Sequence, residues 1–241
     1  EAAAAPVDDS TFDDDADVEI QASDDDVKLT GSRVVQMYKD QLKFDIYQEA
    51  YLGSPEAEYV VLELFDYTCP HCRKVQRAVR RARRRYGKQL AIVTMPVPLE
   101  LRCNKMLREA RPKNRGACKL ARLALATADL NPAAFGRLHY WLMADPDRTR
   151  PYDQALVRAY DDVGRSQLRN ILNSEEFEAR IQRHINLFAN LSQRWEGEKM
   201  PGLPLFVAGD KTLSGRLEFD DEFFEFLEDA TGIEPVRKSS F

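Results

Sequence analysis

Four cysteines and three histidines are all that the 241 residues contain, and this scarcity excludes two architectures. A disulfide framework in a chain of this length needs many more cysteines. His139 and His184, far apart and without a motif around either, do not define a metal site. No apolar stretch approaches the roughly 18–20 residues of a membrane-spanning helix, so no membrane insertion is expected, and no internal repeat is found. An initiator methionine is also missing. The chain opens Glu1-Ala2-Ala3-Ala4-Ala5-Pro6, as expected after removal of a secretory or lipoprotein leader, although an arbitrary boundary would look the same. An extracytoplasmic location, in the periplasm or cell envelope, is the resulting expectation.

Positive charge is nearly absent from residues 1–30, where eleven acids face the single base Lys28. The net charge of −5 therefore divides into a head at −10 and a body at +5. Asp13-Asp14-Asp15 and Asp24-Asp25-Asp26, with few large apolar groups around them, cannot bury enough surface to offset the entropy of ordering, so 1–30 reads as a disordered acidic tail. Such a head argues against nucleic-acid binding by this part of the chain. With 44% apolar residues, the rest can bury one substantial core.

Residues 31–52 alternate loosely between apolar and polar, predicting one or two short strands before the Gly53-Ser54-Pro55 break. Tyr59–Phe65 is a β-branched and aromatic strand. Pro70 then opens a helix to about Tyr86, with Val75, Ala78, Val79 and Ala82 on its apolar stripe and Gly87 as its stop. Leu90–Val97 predicts a second buried strand, parallel to the first. The stretch from about 115 to 195 is helical with turn punctuation. Leu205–Ala208 and Thr212–Leu217 predict a hairpin around Gly209-Asp210, and Asp220 is the expected cap of a last helix to Ala230. The arginines from Arg73 to Lys88 lack the aromatic interleaving of a nucleic-acid footprint and read as a solvated face.

The chemistry concentrates in Cys69-Pro70-His71-Cys72. A cysteine immediately before a helix meets the unpaired N–H groups of the first turn, which stabilise a thiolate over a thiol. Cys72, one turn on, is near enough to close a small disulfide ring with Cys69 while staying more buried. His71 adds an N–H and, when protonated, a positive charge, and so favours the reduced pair. C-x-x-C is also a metal spacing, which leaves a zinc knuckle of Cys69, Cys72, Cys103 and Cys118 as the structural alternative. Glu63, six residues before Cys69 in a strand buried on both faces, is costly unless it has a partner or a task.

Phe65-Asp66-Tyr67-Thr68-Cys69-Pro70-His71-Cys72, preceded by Leu52-Gly53-Ser54-Pro55-Glu56-Ala57, resembles the DsbA-like branch of the thioredoxin superfamily, especially its exported thioredoxin_4-type members. The resemblance covers about Leu52–Ile233. It implies an α/β thioredoxin-like fold in residues 53–233 with a helical insertion at about 115–195, after a strand extension at 31–52 and before a tail at 234–241. It further implies a thiol–disulfide oxidoreductase needing no cofactor or metal, acting as an oxidase on reduced or misoxidised exported proteins, and regenerated by a membrane redox partner. Cys69 is then the nucleophile, Cys72 resolves, and Glu63 relays the proton of the buried cysteine. Pro204 supplies a cis-proline loop, in which Leu203 presents its backbone to an extended substrate. DsbA-like proteins of the vitamin K epoxide reductase-associated type give precedent for a Cys103–Cys118 bridge. It would close a loop of about 16 residues and stabilise by roughly 3 kcal/mol, or serve as a second, electron-relaying pair. The rival from another class is a thioredoxin-like binding or chaperone module whose cysteines are structural or hold zinc.

Overall fold

The computed structural model describes residues 31–195 and 201–236; the acidic head at 1–30 and the end of the C-terminal tail at 237–241 lie outside them. A small hairpin comes first, β1 (Val34–Met37) against β2 (Leu42–Asp45). Its tip docks on the far end of the chain, with Tyr38 N donating to Gly209 O at 2.7 Å and Lys39 N to the Asp210 carboxylate at 2.6 Å.

The main sheet has five strands in the order β3-β5-β4-β6-β7. β3 (Ala50–Leu52) edges it, β4 (Tyr59–Phe65) and β5 (Leu90–Pro96) are its parallel centre, and β6 (Leu205–Ala208) with β7 (Lys211–Ser214) closes it antiparallel. β4 and β5 are buried almost along their whole length, which explains their continuous apolar sequence. The crossover between them is α1 (Pro70–Tyr86). Between β5 and β6 the described residues form five α-helices: α2 (Ala117–Leu130), α3 (Pro132–Met143), α4 (Tyr152–Val163), α5 (Arg165–Leu172) and α6 (Glu175–Gln193). The chain closes with α7 (Asp220–Thr231), packed on α1.

Three details differ from the sequence expectation, the first being that residues 31–52 form three short strands where one or two were expected. The last strand ends at Ser214 instead of Leu217, because the ladder then meets Pro204, which has no N–H to give; Gly215, at φ 89°, donates instead to Pro204 O at 2.9 Å. Asp220 does not cap the final helix. Phe219 occupies the cap position, and the Glu222 carboxylate reaches back to the N–H groups of Glu218 and Phe219 at 2.9 and 2.8 Å. Asp220 instead pairs with Arg77 and Arg81 of α1, at 3.1 and 2.8 Å.

Most α1 arginines are anchored in the same way. Arg80 donates to Tyr140 O, Arg83 to Gly87 O and Leu90 O, Arg85 to Glu228, and Arg73 to Asp145 O and Tyr67 O. A second buried polar cluster joins α6 to the segment before β3, where Glu49 accepts from His184 at 2.9 Å and from Arg180 at 3.3 Å, while Arg180 also reaches Asp129 at 2.8 Å.

Candidate active site

β4 carries the chain to the sheet's C-terminal edge, and the 66–69 turn delivers Cys69 to the N-cap of α1 with Pro70 at the first helical position. Cys69 is extended (φ −77°, ψ 119°), its N–H bonded to Asp66 O at 3.1 Å and its carbonyl accepting from Arg73 N at 3.1 Å. Both cysteines are free thiols. The Cys72 thiol donates to Cys69 and, against the opposing effect of burial, lowers the Cys69 pKa from 9.0 to about 7, with the main-chain N–H groups of Cys72 and His71 assisting. Burial, and next the bond it gives to Cys69, pushes Cys72 well above its ordinary value. The pair is thus split into one thiol that ionises near neutrality and one that holds its proton. His71 is exposed, and its main-chain N–H helps to lower the Cys69 pKa.

Cys69 Sγ lies 3.7 Å from Leu203 O, and the Leu203–Pro204 peptide bond is cis. Ser214 Oγ holds this loop in place, accepting from Gly202 N at 2.9 Å and donating to Gly202 O at 3.0 Å.

Two carboxylates are buried behind the sulfurs. Glu63 on β4 is fully buried, accepts from Gln76 Nε2 at 2.8 Å, and leaves Oε2 without a partner; burial raises its pKa from 4.5 to about 8. The chain of bonds continues beyond Gln76. Gln76 Oε1 meets His139 Nε2 at 3.3 Å, and His139 Nδ1 meets the Tyr67 hydroxyl at 3.1 Å. Since the Gln76 amide nitrogen serves Glu63, its oxygen must accept, which puts the imidazole proton on Nε2 and makes Tyr67 the donor to Nδ1. Burial agrees with that neutral tautomer, lowering the His139 pKa to about 3. Every donor therefore points toward Glu63 Oε1, and the proton of Glu63 is left to Oε2. The sequence offers no motif around His139. Its ring does pack, with centroids 5.3 Å from Phe65 and 5.5 Å from Phe135, but both of its nitrogens serve the buried chain.

Asp66 has no role in the sequence reading beyond its place in the motif. It is 2% exposed, accepts from Thr68 N at 2.6 Å, from the Thr68 hydroxyl, and from Leu99 N at 3.0 Å, and burial lifts its pKa from 3.8 to about 6. Its carboxylate joins the turn before Cys69 to the segment that follows β5. That segment carries Cys103, which is bonded to Cys118 in the first turn of α2, so the four-cysteine knuckle is not formed. Among the described residues no cluster of three or more histidine, cysteine or acidic side chains is placed to hold a metal ion.

A sequence profile of the DSBA-like thioredoxin domain matches residues 60–224. The chain belongs to that family. No curated protein sequence matches it significantly. Among solved structures, a linker-deletion variant of Proteus mirabilis ScsC is similar at 18% identity and TM-score 0.59, with 77% of this chain and 75% of that one covered. A periplasmic thioredoxin-like protein from Salmonella enterica serovar Typhimurium is similar at 17% and 0.57, covering 76% and 90%. BdbD from Bacillus subtilis, in its oxidised form, is similar at 17% and 0.55, covering 77% and 94%. At these identities the structures bear on the fold alone, and the expected α/β thioredoxin-like fold is the one found. DSBA-like domains are thiol–disulfide oxidoreductases, and in this DSBA-like domain the two free thiols stand at the helix start opposite the Leu203–Pro204 loop.

Proposed function

We propose that this chain is an extracytoplasmic disulfide oxidase that passes its Cys69–Cys72 disulfide to reduced or misoxidised exported proteins. A substrate thiolate attacks Cys69 Sγ, the Cys69–Cys72 bond breaks, and its electron pair goes to Cys72, which takes up a proton. Glu63 is the donor in the core: it still holds a proton at neutral pH and is tied to Gln76, one helical turn after Cys72. A second substrate thiolate then attacks the substrate sulfur of the mixed disulfide and expels Cys69 as a thiolate. The substrate leaves oxidised by two electrons, and a membrane redox partner restores the disulfide. Leu203 and Pro204, beside Cys69 Sγ, offer main chain to an extended substrate.

The observation that carries this reading is the geometry of the pair, two free thiols at the start of α1 facing the Leu203–Pro204 loop, with the Cys69 pKa lowered and that of Cys72 raised. A stabilised thiolate favours the reduced protein, and so makes the disulfide a better oxidant. The test is equilibration of the pair against glutathione. A potential above roughly −200 mV supports the oxidase; one near the −270 mV of a reducing thioredoxin refutes it. The periplasmic relative supports the location, which fractionation of the source cells tests.

A further inference from the structure

We infer that the disulfide-braced loop between Cys103 and Cys118 is a docking surface for acidic segments of substrate proteins, placed beside the reactive sulfur. This rests on the oxidase reading for its purpose, but not for its evidence.

β4 and β5 run parallel and β6 runs against β4, so three features share one end of the sheet: Cys69 after β4, Leu203–Pro204 before β6, and the 97–116 segment after β5. The Asp66 carboxylate, which takes the Leu99 N–H, sits in the residue whose carbonyl takes the Cys69 N–H. Substrate lying across Cys69 therefore has the cis-proline loop on one side and this segment on the other.

The segment is fixed and strongly basic. The Cys103–Cys118 bond closes it, Asn104 and Asn114 donate to Pro98 O and Leu99 O at 2.9 Å each, and Glu100 accepts from the N–H groups of Gly116 and Cys118. Arg102, Lys105, Arg108, Arg111, Lys113 and Arg115 are all exposed on it. Its two acids are already engaged, Glu100 with those main-chain groups and Glu109 with Arg111 at 3.4 Å. Arg102, Lys105, Arg108, Lys113 and Arg115 have no acidic partner among the described residues. The α1 arginines are different, most being held by α7 carboxylates or main-chain carbonyls. The loop also flanks a groove of about 410 Å³ floored by Leu99, Met106 and Leu107 and edged by Arg108, Asn114 and the paired Arg111 and Glu109. Met106 is 53% exposed there. Cations around an apolar floor fit an acidic stretch interspersed with apolar side chains, and exposed cations of this kind act chiefly on the rate of encounter.

The test uses the full chain and peptides with apolar residues at fixed positions, flanked by Asp and Glu, by Ser and Gly, or by Lys. Binding of cysteine-free versions is followed by fluorescence anisotropy, and oxidation of dithiol versions in single turnover. The acidic peptide is expected to bind and react about tenfold better than the neutral one at low ionic strength, with the advantage vanishing in high salt. Lys105→Glu with Arg108→Glu should abolish that preference. Arg84→Glu with Lys88→Glu, the same charge change on an exposed part of α1 and the turn after it, should preserve it. Equal losses in both variants, or no preference in the wild type, overturn the proposal. It also fails if acidic peptide binds only once Asp24, Asp25 and Asp26 are changed to Asn, since the chain's own head is then the occupant. Failure of the oxidase reading shows separately, as an inability to oxidise the neutral peptide while acidic binding persists.

Discussion

Glu63→Gln tests whether a buried, protonated carboxyl sits beneath the redox pair. The Glu63 pKa is 4.5 in the ordinary state and about 8 in the fold, so between those values the native protein binds a proton that the unfolded chain does not. Stability is then greatest below pH 4.5 and falls as pH rises toward 8. Each pH unit in the window is worth about 1.4 kcal/mol, a total of up to roughly 5 kcal/mol. Asp66 acts with the same sign between 3.8 and about 6, so the range from pH 6.5 to 8 isolates Glu63, at roughly 2 kcal/mol. Glutamine keeps the bond from Gln76 and leaves an unpaired amide donor where Oε2 lay, a penalty of about 1–3 kcal/mol that does not vary with pH. Cys69 and His139 titrate alike in both proteins and cancel. Urea unfolding of wild type and variant at half-unit pH steps gives the comparison. The difference between the two should move in favour of the variant as pH rises from 6.5 to 8. Parallel curves over that range would show that Glu63 ionises normally, and with it the proton-donor role would fall.

Cys72→Ala should trap mixed disulfides with substrate while Cys69→Ala traps none, as judged by non-reducing electrophoresis; equal trapping would reverse the assignment. The same Cys72→Ala change removes the main donor to Cys69 and should raise its pKa, whereas His71→Val, which keeps the main-chain N–H, should leave it near 7; thiolate absorbance against pH distinguishes them, and a large rise in the valine variant would show that the imidazole also stabilises the thiolate. Replacing Cys103 and Cys118 together with Ala should cost up to roughly 3 kcal/mol of stability while most oxidation of a neutral peptide survives. Loss of that activity in a folded double variant would favour an electron relay.

The parts of the site that depend on local geometry were legible in the sequence. Proline after a cysteine after a buried strand defines a helix start, and the helix start supplies the N–H groups that Cys69 uses. Glu63 stood out because a carboxylate in a β-branched run has no ordinary place. What stayed hidden were pairings between elements distant in the chain. Gln76 and His139 are 63 residues apart, and nothing in the helical pattern around either distinguishes a packed imidazole from a bonded one. Asp66 looks like a common turn residue until Leu99, 33 positions later, is seen to donate to it. Glu49 with Arg180 and His184 is another such case. The overrun of the last strand has a similar origin, since its end is set by Pro204, just before the neighbouring strand, and not by its own residues.

The arginines of α1 have a bearing on how the redox cycle moves. Tied at Asp220, Glu228, Tyr140 O and Leu90 O, the helix is clamped to the last helix, to the insertion and to the sheet at once. Sliding or tilting it would break several of these ties together. Arg73, one residue after Cys72, is tied as well, to Asp145 O and Tyr67 O, so opening and closing a Cys69–Cys72 ring is expected to be a rotation of the sulfurs on a fixed rod, with any backbone adjustment confined to the 66–69 turn and the Leu203 loop.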